Sequence, residues 1–129
     1  MLHQKSRRRL VVVEDDTDVA DVIRVVADKL NLEITLLADP KAAIDFIKNT
    51  LPDMVLLDIM MPGELNGFDV ARALRANILT RKIPILAMSG YDSYQTQSRI
   101  FAAGVDDYIA KPFDLKDLEG KIKFLIGAS

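Results

Sequence analysis

Short apolar runs and longer amphipathic stretches alternate five times along this chain. Residues 10–13 and 54–57 are wholly apolar, which is the pattern of strands buried on both faces. Residues 33–37, 83–88 and 107–110 read as three further strands. Pro84 lacks an N–H and should stand near the beginning of its strand. Val19, Val22, Ile23, Val26 and Leu30 recur at helical spacing and predict a buried stripe, with Asp16 or Thr17 as the cap and Asn31 at the end. Pro40 suits the first turn of a second helix reaching Asn49, with Ala43, Ile44 and Ile47 on its apolar face. A third helix over 68–76 turns Val70, Ala71 and Leu74 inward. A fourth, capped by Ser93, runs to Ala103 and stops at Gly104. Leu115, Leu118, Ile122 and Leu125 make the inner face of the last. Strict alternation with short connections predicts an α/β fold, a parallel sheet with helices on both faces.

Composition narrows this picture. At 129 residues, half of them hydrophobic and 28% charged, the chain fits one globular domain. A net charge of −2 gives no reason to expect direct nucleic-acid binding. There is no cysteine, hence no disulfide frame, thiolate metal site or cysteine nucleophile. No run approaches the roughly 20 apolar residues of a membrane span, and residues 1–9, with Lys5, Arg7, Arg8 and Arg9, lack a signal-peptide core. A cytoplasmic location without membrane contact is expected. The division expected is a basic arm over 1–9, the folded domain over 10–126 and a tail over 127–129. His3, in the arm, is given no role. Arg72, Arg75, Arg81 and Lys82 read as a solvated face.

The chemistry collects at the strand ends. Glu14 and Asp15 follow the first strand, Asp58 ends the third, Ser89 the fourth, and Lys111 follows the fifth. A parallel sheet brings such residues to one edge, where α/β proteins bind their ligands. Three carboxylates there would repel and raise at least one pKa unless cations intervene. Lys111 supplies one positive charge, and a divalent cation would balance the rest. Oxygen-only ligands favour a hard ion, Mg²⁺. A carboxylate held by such an ion beside a hydroxyl and an ammonium is suited to attack a phosphoryl group. Residues 63–67, Gly-Glu-Leu-Asn-Gly, form neither a dinucleotide fingerprint nor a P-loop. The phosphoryl donor is therefore expected on another molecule.

Four segments carry a resemblance to a known family: Val12-Val13-Glu14-Asp15-Asp16, Leu56-Leu57-Asp58-Ile59-Met60-Met61-Pro62, Met88-Ser89-Gly90, and residues 104–113 from Gly104 through Asp106, Asp107, Tyr108 and Lys111-Pro112 to Phe113. In this order and spacing the chain resembles the receiver domain of two-component response regulators, from about Arg9 to Leu125. The resemblance implies a flavodoxin-like (βα)5 sandwich with a five-stranded sheet in the order 2-1-3-4-5. It implies Asp58 as phosphoacceptor and Asp15, Asp58 and the backbone carbonyl of Met60 as Mg²⁺ ligands, with Glu14 acting through water. Ser89 would shift toward the phosphoryl group, Lys111 would pair with its oxygens, and Tyr108 would turn inward as the switch. The Lys111-Pro112 bond should be cis. A sensor histidine kinase or histidine phosphotransfer protein would be the donor; the downstream target is not legible. Asp106 and Asp107 either end a turn or face Lys116 or Lys121 across a homodimer.

Two departures stand out. The loop between Pro62 and Gly67 is one residue longer than the family's usual form. Met60 and Tyr91, each two residues beyond a strand-end site residue, carry no acid or amide to orient an attacking water, so slow hydrolysis of the phosphoryl group is expected. Two alternatives compete with the switch, which would be no enzyme. A haloacid-dehalogenase phosphatase also uses Asp and Mg²⁺, but needs its nucleophilic Asp where this chain has Glu14. A receiver-like interaction module acting without phosphorylation would have no use for the intact set of Asp15, Asp58, Ser89 and Lys111.

Overall fold

The computed structural model describes residues 7–90 and 93–127, so Tyr91 and His3 lie outside the described residues. Its elements run β1 (Arg9–Val13), α1 (Thr17–Lys29), β2 (Glu33–Leu37), α2 (Pro40–Thr50), β3 (Met54–Asp58), α3 (Gly67–Ala76), β4 (Ile85–Ser89), α4 (Tyr94–Ala102), β5 (Asp107–Ala110) and α5 (Leu115–Gly127). The five strands are parallel, in the order β2-β1-β3-β4-β5. This is the flavodoxin-like (βα)5 architecture expected. Period-two alternation divides the strand residues between two cores. Val11, Val13, Val55, Leu57, Ile85 and Ala87 pack with α2, α3 and α4 through Ala43, Ile47, Phe68, Leu74 and Ile100. Leu10, Val12, Met54, Leu56, Leu86 and Met88 pack with α1 and α5 through Ile23, Val26, Leu118 and Ile122.

Helix starts follow side-chain chemistry. Asp16 caps α1 by accepting from the N–H of Asp18 and of Val19. Asp39 caps α2, with Pro40 at its first position. Asn66 and Asp69 bond reciprocally across the first turn of α3, each side chain accepting the other's backbone N–H. Ser93 caps α4.

Three expectations need correcting. Val22 is exposed, because the buried stripe of α1 centres on Ala20, Ile23 and Ala27 and leaves Val22 on its flank. Leu115 is exposed too; on the first turn of α5 it lines an open trough with Val25 and not the sheet. β4 begins at Ile85, since the Ile83 N–H is spent on Thr80 and Pro84 contributes only its carbonyl, which accepts from Val55.

Arg75 is a fourth correction, for it is no solvated residue. Its Nε donates to the Gly104 carbonyl (2.6 Å), its Nη1 to the carbonyls of Arg81 (3.0 Å) and Ile83 (2.8 Å), and its Nη2 to Asp106 (2.8 Å). The same Asp106 oxygen accepts the Ile85 N–H. One guanidinium thus ties the end of α3 to the segments that enter β4 and β5. Arg75→Ala strands carbonyls that a charged donor satisfied, and is expected to cost about 3 kcal/mol of stability. Urea unfolding of the variant beside Arg72→Ala, whose partner Asp69 is a surface neighbour, measures the difference.

Candidate functional site

Backbone bonds that continue the ladders past the strand ends build the site. Glu14 N–H donates to Leu37, Ile59 N–H to Met88 and Lys111 N–H to Ser89. These bonds lock residues 14, 58–59, 89 and 111 into one row at the carboxyl edge of the sheet. Carboxylate oxygens of Glu14, Asp15 and Asp58 lie within 4.8 Å of one another. Lys111 Nζ stands 2.6 Å from Glu14 Oε1 and 3.4 Å from Asp58 Oδ2. Asp58 Oδ1 accepts the Met60 N–H at 3.1 Å. The Lys111-Pro112 bond is cis.

Burial grades these groups. Glu14, Asp58 and Ser89 are buried, Asp15 is exposed. Glu14 Oε2 accepts the N–H groups of Asp15 and Asp16, so both its oxygens are held. Burial above all, and then the Asp58 carboxylate beside it, push the Glu14 carboxyl up to about 7, against the opposing pull of Lys111 and the Asp16 N–H. Like-charge repulsion, the expected cause, is real but second to desolvation. For Lys111, burial alone would lower the pKa. Its bond to Glu14 and the charges of Asp58 and Glu14 outweigh that and hold the ammonium above its ordinary range.

The donor set fits a hard cation. It is three carboxylates, with one ammonium against them and no nitrogen or sulfur ligand, and a carboxyl whose proton is loosely held near neutrality. Tyr108, half-buried in β5, meets the Phe101 ring of α4 edge-on at 6.1 Å, with 82° between the ring planes. Asp107 and Lys121 pair within the chain at 3.1 Å, and Asp106 pairs with Arg75 at 2.8 Å. Gly67, read in the sequence only as the end of a loop, is the first residue of α3. A Cβ there would lie 2.3 Å from the Asp58 carbonyl oxygen and 2.5 Å from Ile59 Cα. The longer loop, with Pro62, Gly63, Glu64 and Leu65, faces Asp39, Pro40 and Lys41 across a cavity of about 310 Å³.

A family model described as the response regulator receiver domain matches residues 10–123. The chain belongs to the response regulator receiver domain family. Among curated proteins the domain is 36% identical over 118 residues to the response regulator MprA of Mycobacterium sp. (strain KMS), covering 92% of the chain and 50% of that protein. It is 33% identical over 117 residues to the DNA-binding response regulator MtrA of Mycobacterium tuberculosis (strain ATCC 25618 / H37Rv), covering 91% and 50%. The chain therefore spans about half the length of the curated relatives it matches. Among solved structures, the receiver domain of the sensor histidine kinase PA1611 from Pseudomonas aeruginosa PAO1 has a magnesium ion coordinated in its active site cleft. It is 29% identical, with a TM-score of 0.86 and coverage of 95% of this chain and 99% of that one. The signal receiver domain of a DNA binding response regulator from Colwellia psychrerythraea 34H is 30% identical, with a TM-score of 0.84 and coverage of 93% and 98%. Among the described residues no helix of this receiver domain is long and apolar enough to cross a membrane.

Proposed function

We propose that this receiver domain accepts a phosphoryl group on Asp58 from a phosphohistidine carried by a sensor histidine kinase or a phosphotransfer protein. The single observation carrying this reading is the meeting of Glu14, Asp15 and Asp58 within 4.8 Å, with Lys111 against two of them. Asp15, Asp58 and the Met60 carbonyl would hold Mg²⁺, with Glu14 acting through water. When bound, the ion supplies positive charge that the transferring oxygens need in an in-line displacement.

The chain's own residues do the rest. Asp58 offers a carboxylate oxygen to the phosphorus, and the imidazole leaves with its electron pair. Lys111, already beside Asp58, exchanges that contact for a phosphoryl oxygen and neutralises charge there. The Met60 N–H keeps the other Asp58 oxygen in line. Ser89, at the end of β4, donates its hydroxyl to the phosphoryl group, and Tyr108 follows inward, which reshapes the surface of α4 and β5. The docking of a donor is supported by two apolar troughs beside α1, one of about 230 Å³ against α5 and one of about 210 Å³ against the loop that follows β5. One is lined by Val25, Val26 and Leu115; the other holds Val22 and Phe113 and reaches Lys111. Such transfer belongs in the cytoplasm, without membrane contact or direct nucleic-acid binding by this domain.

Incubation with acetyl phosphate and Mg²⁺, read by intact mass, tests the reading. One phosphate adduct is expected on the wild-type domain, none on Asp58→Asn, and none when the divalent ion is chelated. An unphosphorylated wild type, or an adduct that survives in Asp58→Asn, would overturn it. The first outcome favours a receiver-like module acting without phosphate, the second a different acceptor residue.

A further inference from the structure

The described methionines differ sharply in exposure. Met54 and Met88 are wholly buried and Met61 nearly so, whereas Met60 is 47% exposed. Met60 is also the residue whose N–H bonds the Asp58 carboxylate, so its side chain springs from the rim of the site. A thioether is flexible and apolar, and while reduced it offers water only a weak acceptor. Oxidation turns that side chain into a polar one with a strong hydrogen-bond acceptor.

We propose that Met60 is a peroxide-sensitive modification site whose sulfoxide shortens the life of the phosphoryl group on Asp58. The inference rests on the acceptor role proposed for Asp58. In the modification a peroxide transfers one oxygen to the Met60 sulfur. The O–O bond breaks, an S–O bond forms, the sulfur is oxidised and the peroxide is reduced to water or an alcohol. The three buried methionines are shielded by the two cores and react only when the fold opens. The sulfoxide oxygen then accepts a hydrogen bond from water at the rim, where the thioether offered almost nothing. A water held there attacks the phosphorus more often, and phosphate leaves with the P–O bond to Asp58 broken. A reductase acting on methionine sulfoxide restores the slow state.

The experiment has two arms. In the first, the domain is phosphorylated by acetyl phosphate and Mg²⁺ before any oxidant is added. An absent adduct at this stage overturns the acceptor reading and this inference with it. In the second arm the phosphorylated domain is treated with hydrogen peroxide and followed by peptide mass mapping and by decay of the adduct. Oxygen is expected on Met60 well before Met54, Met61 or Met88, with the adduct lifetime shortened about threefold or more. Sulfoxide reductase should restore the original lifetime, and peroxide should leave the adduct lifetime of Met60→Leu unchanged. An adduct that forms but decays at the same rate in the sulfoxide form would overturn the inference alone. So would oxidation of Met61 at an equal rate.

Discussion

Gly67→Ala is expected to lower the stability of the domain by about 3 kcal/mol or more and to cripple phosphorylation in whatever fraction stays folded. The reason is the distance of 2.3 Å to the Asp58 carbonyl oxygen and 2.5 Å to Ile59 Cα that an added methyl would face. Both neighbours are backbone, so neither can swing aside as a flexible side chain would. The first turn of α3 could retreat only by breaking the reciprocal Asn66–Asp69 cap or by lifting Phe68, which is buried in the core. The alternative is displacement of the Asp58–Ile59 peptide. That would also strain the Ile59 N–H bond to Met88, which keeps β3 and β4 in step past the strand end. Thermal unfolding gives the stability loss, and adduct yield with acetyl phosphate gives the effect on the site. Gly120→Ala, where an added Cβ meets nothing within 4 Å, is the matched comparison and should be neutral or slightly stabilising.

The second large effect is on pH dependence, and it runs opposite to that of a salt-bridged carboxylate with a lowered pKa. The Glu14 pKa is 4.5 in an unstructured chain and about 7 when folded. Between those values the folded state binds more protons than the unfolded one, so stability falls as pH rises through that window. Below it Glu14 costs nothing; above it the full cost of burying the charge is paid. That cost is of the order of 3 kcal/mol in the metal-free domain. Glu14→Gln should remove the decline and stabilise the metal-free domain above neutrality, with little change near pH 4.5. Mg²⁺ should raise the melting temperature of the wild type more at pH 8 than at pH 5, because proton and cation compete for the same acidic pocket. A wild-type domain that grows more stable between pH 5 and 7 without metal would contradict the burial described for Glu14.

How far the sequence foretold all this depends on the range of the interaction. β1, β3 and β4 were legible because each is a short apolar run, β2 and β5, which begin with acids, mainly by the alternation with helices, and the sheet order came with the resemblance. The gathering of Glu14, Asp15, Asp58 and Lys111 was legible because parallel topology puts every strand end on one edge. Shifts of a residue or two, as at Ile85, came from a single proline whose backbone partners lie in another strand. Val22 and Leu115 misled because helical spacing marks a stripe without saying how wide the surface beneath it is. Arg75 was misread for a different reason. In a segment with several basic residues nothing local separates the arginine that crosses to Gly104 and Asp106 from those that point to water. Gly67 was equally silent, since its need for a bare Cα is imposed by a peptide nine residues earlier in the chain.

Arg75 carries one more implication. Its four bonds fasten the rear of the domain, where β4 and β5 begin, while the groups of the site stand at the front. A sheet fastened along one border and loaded at the other behaves as a cantilever. Under the proposed function a pull at the free border would be taken up by α4 and the far end of β5, and amide exchange at Ile85 and Asp106 should stay unchanged on phosphorylation.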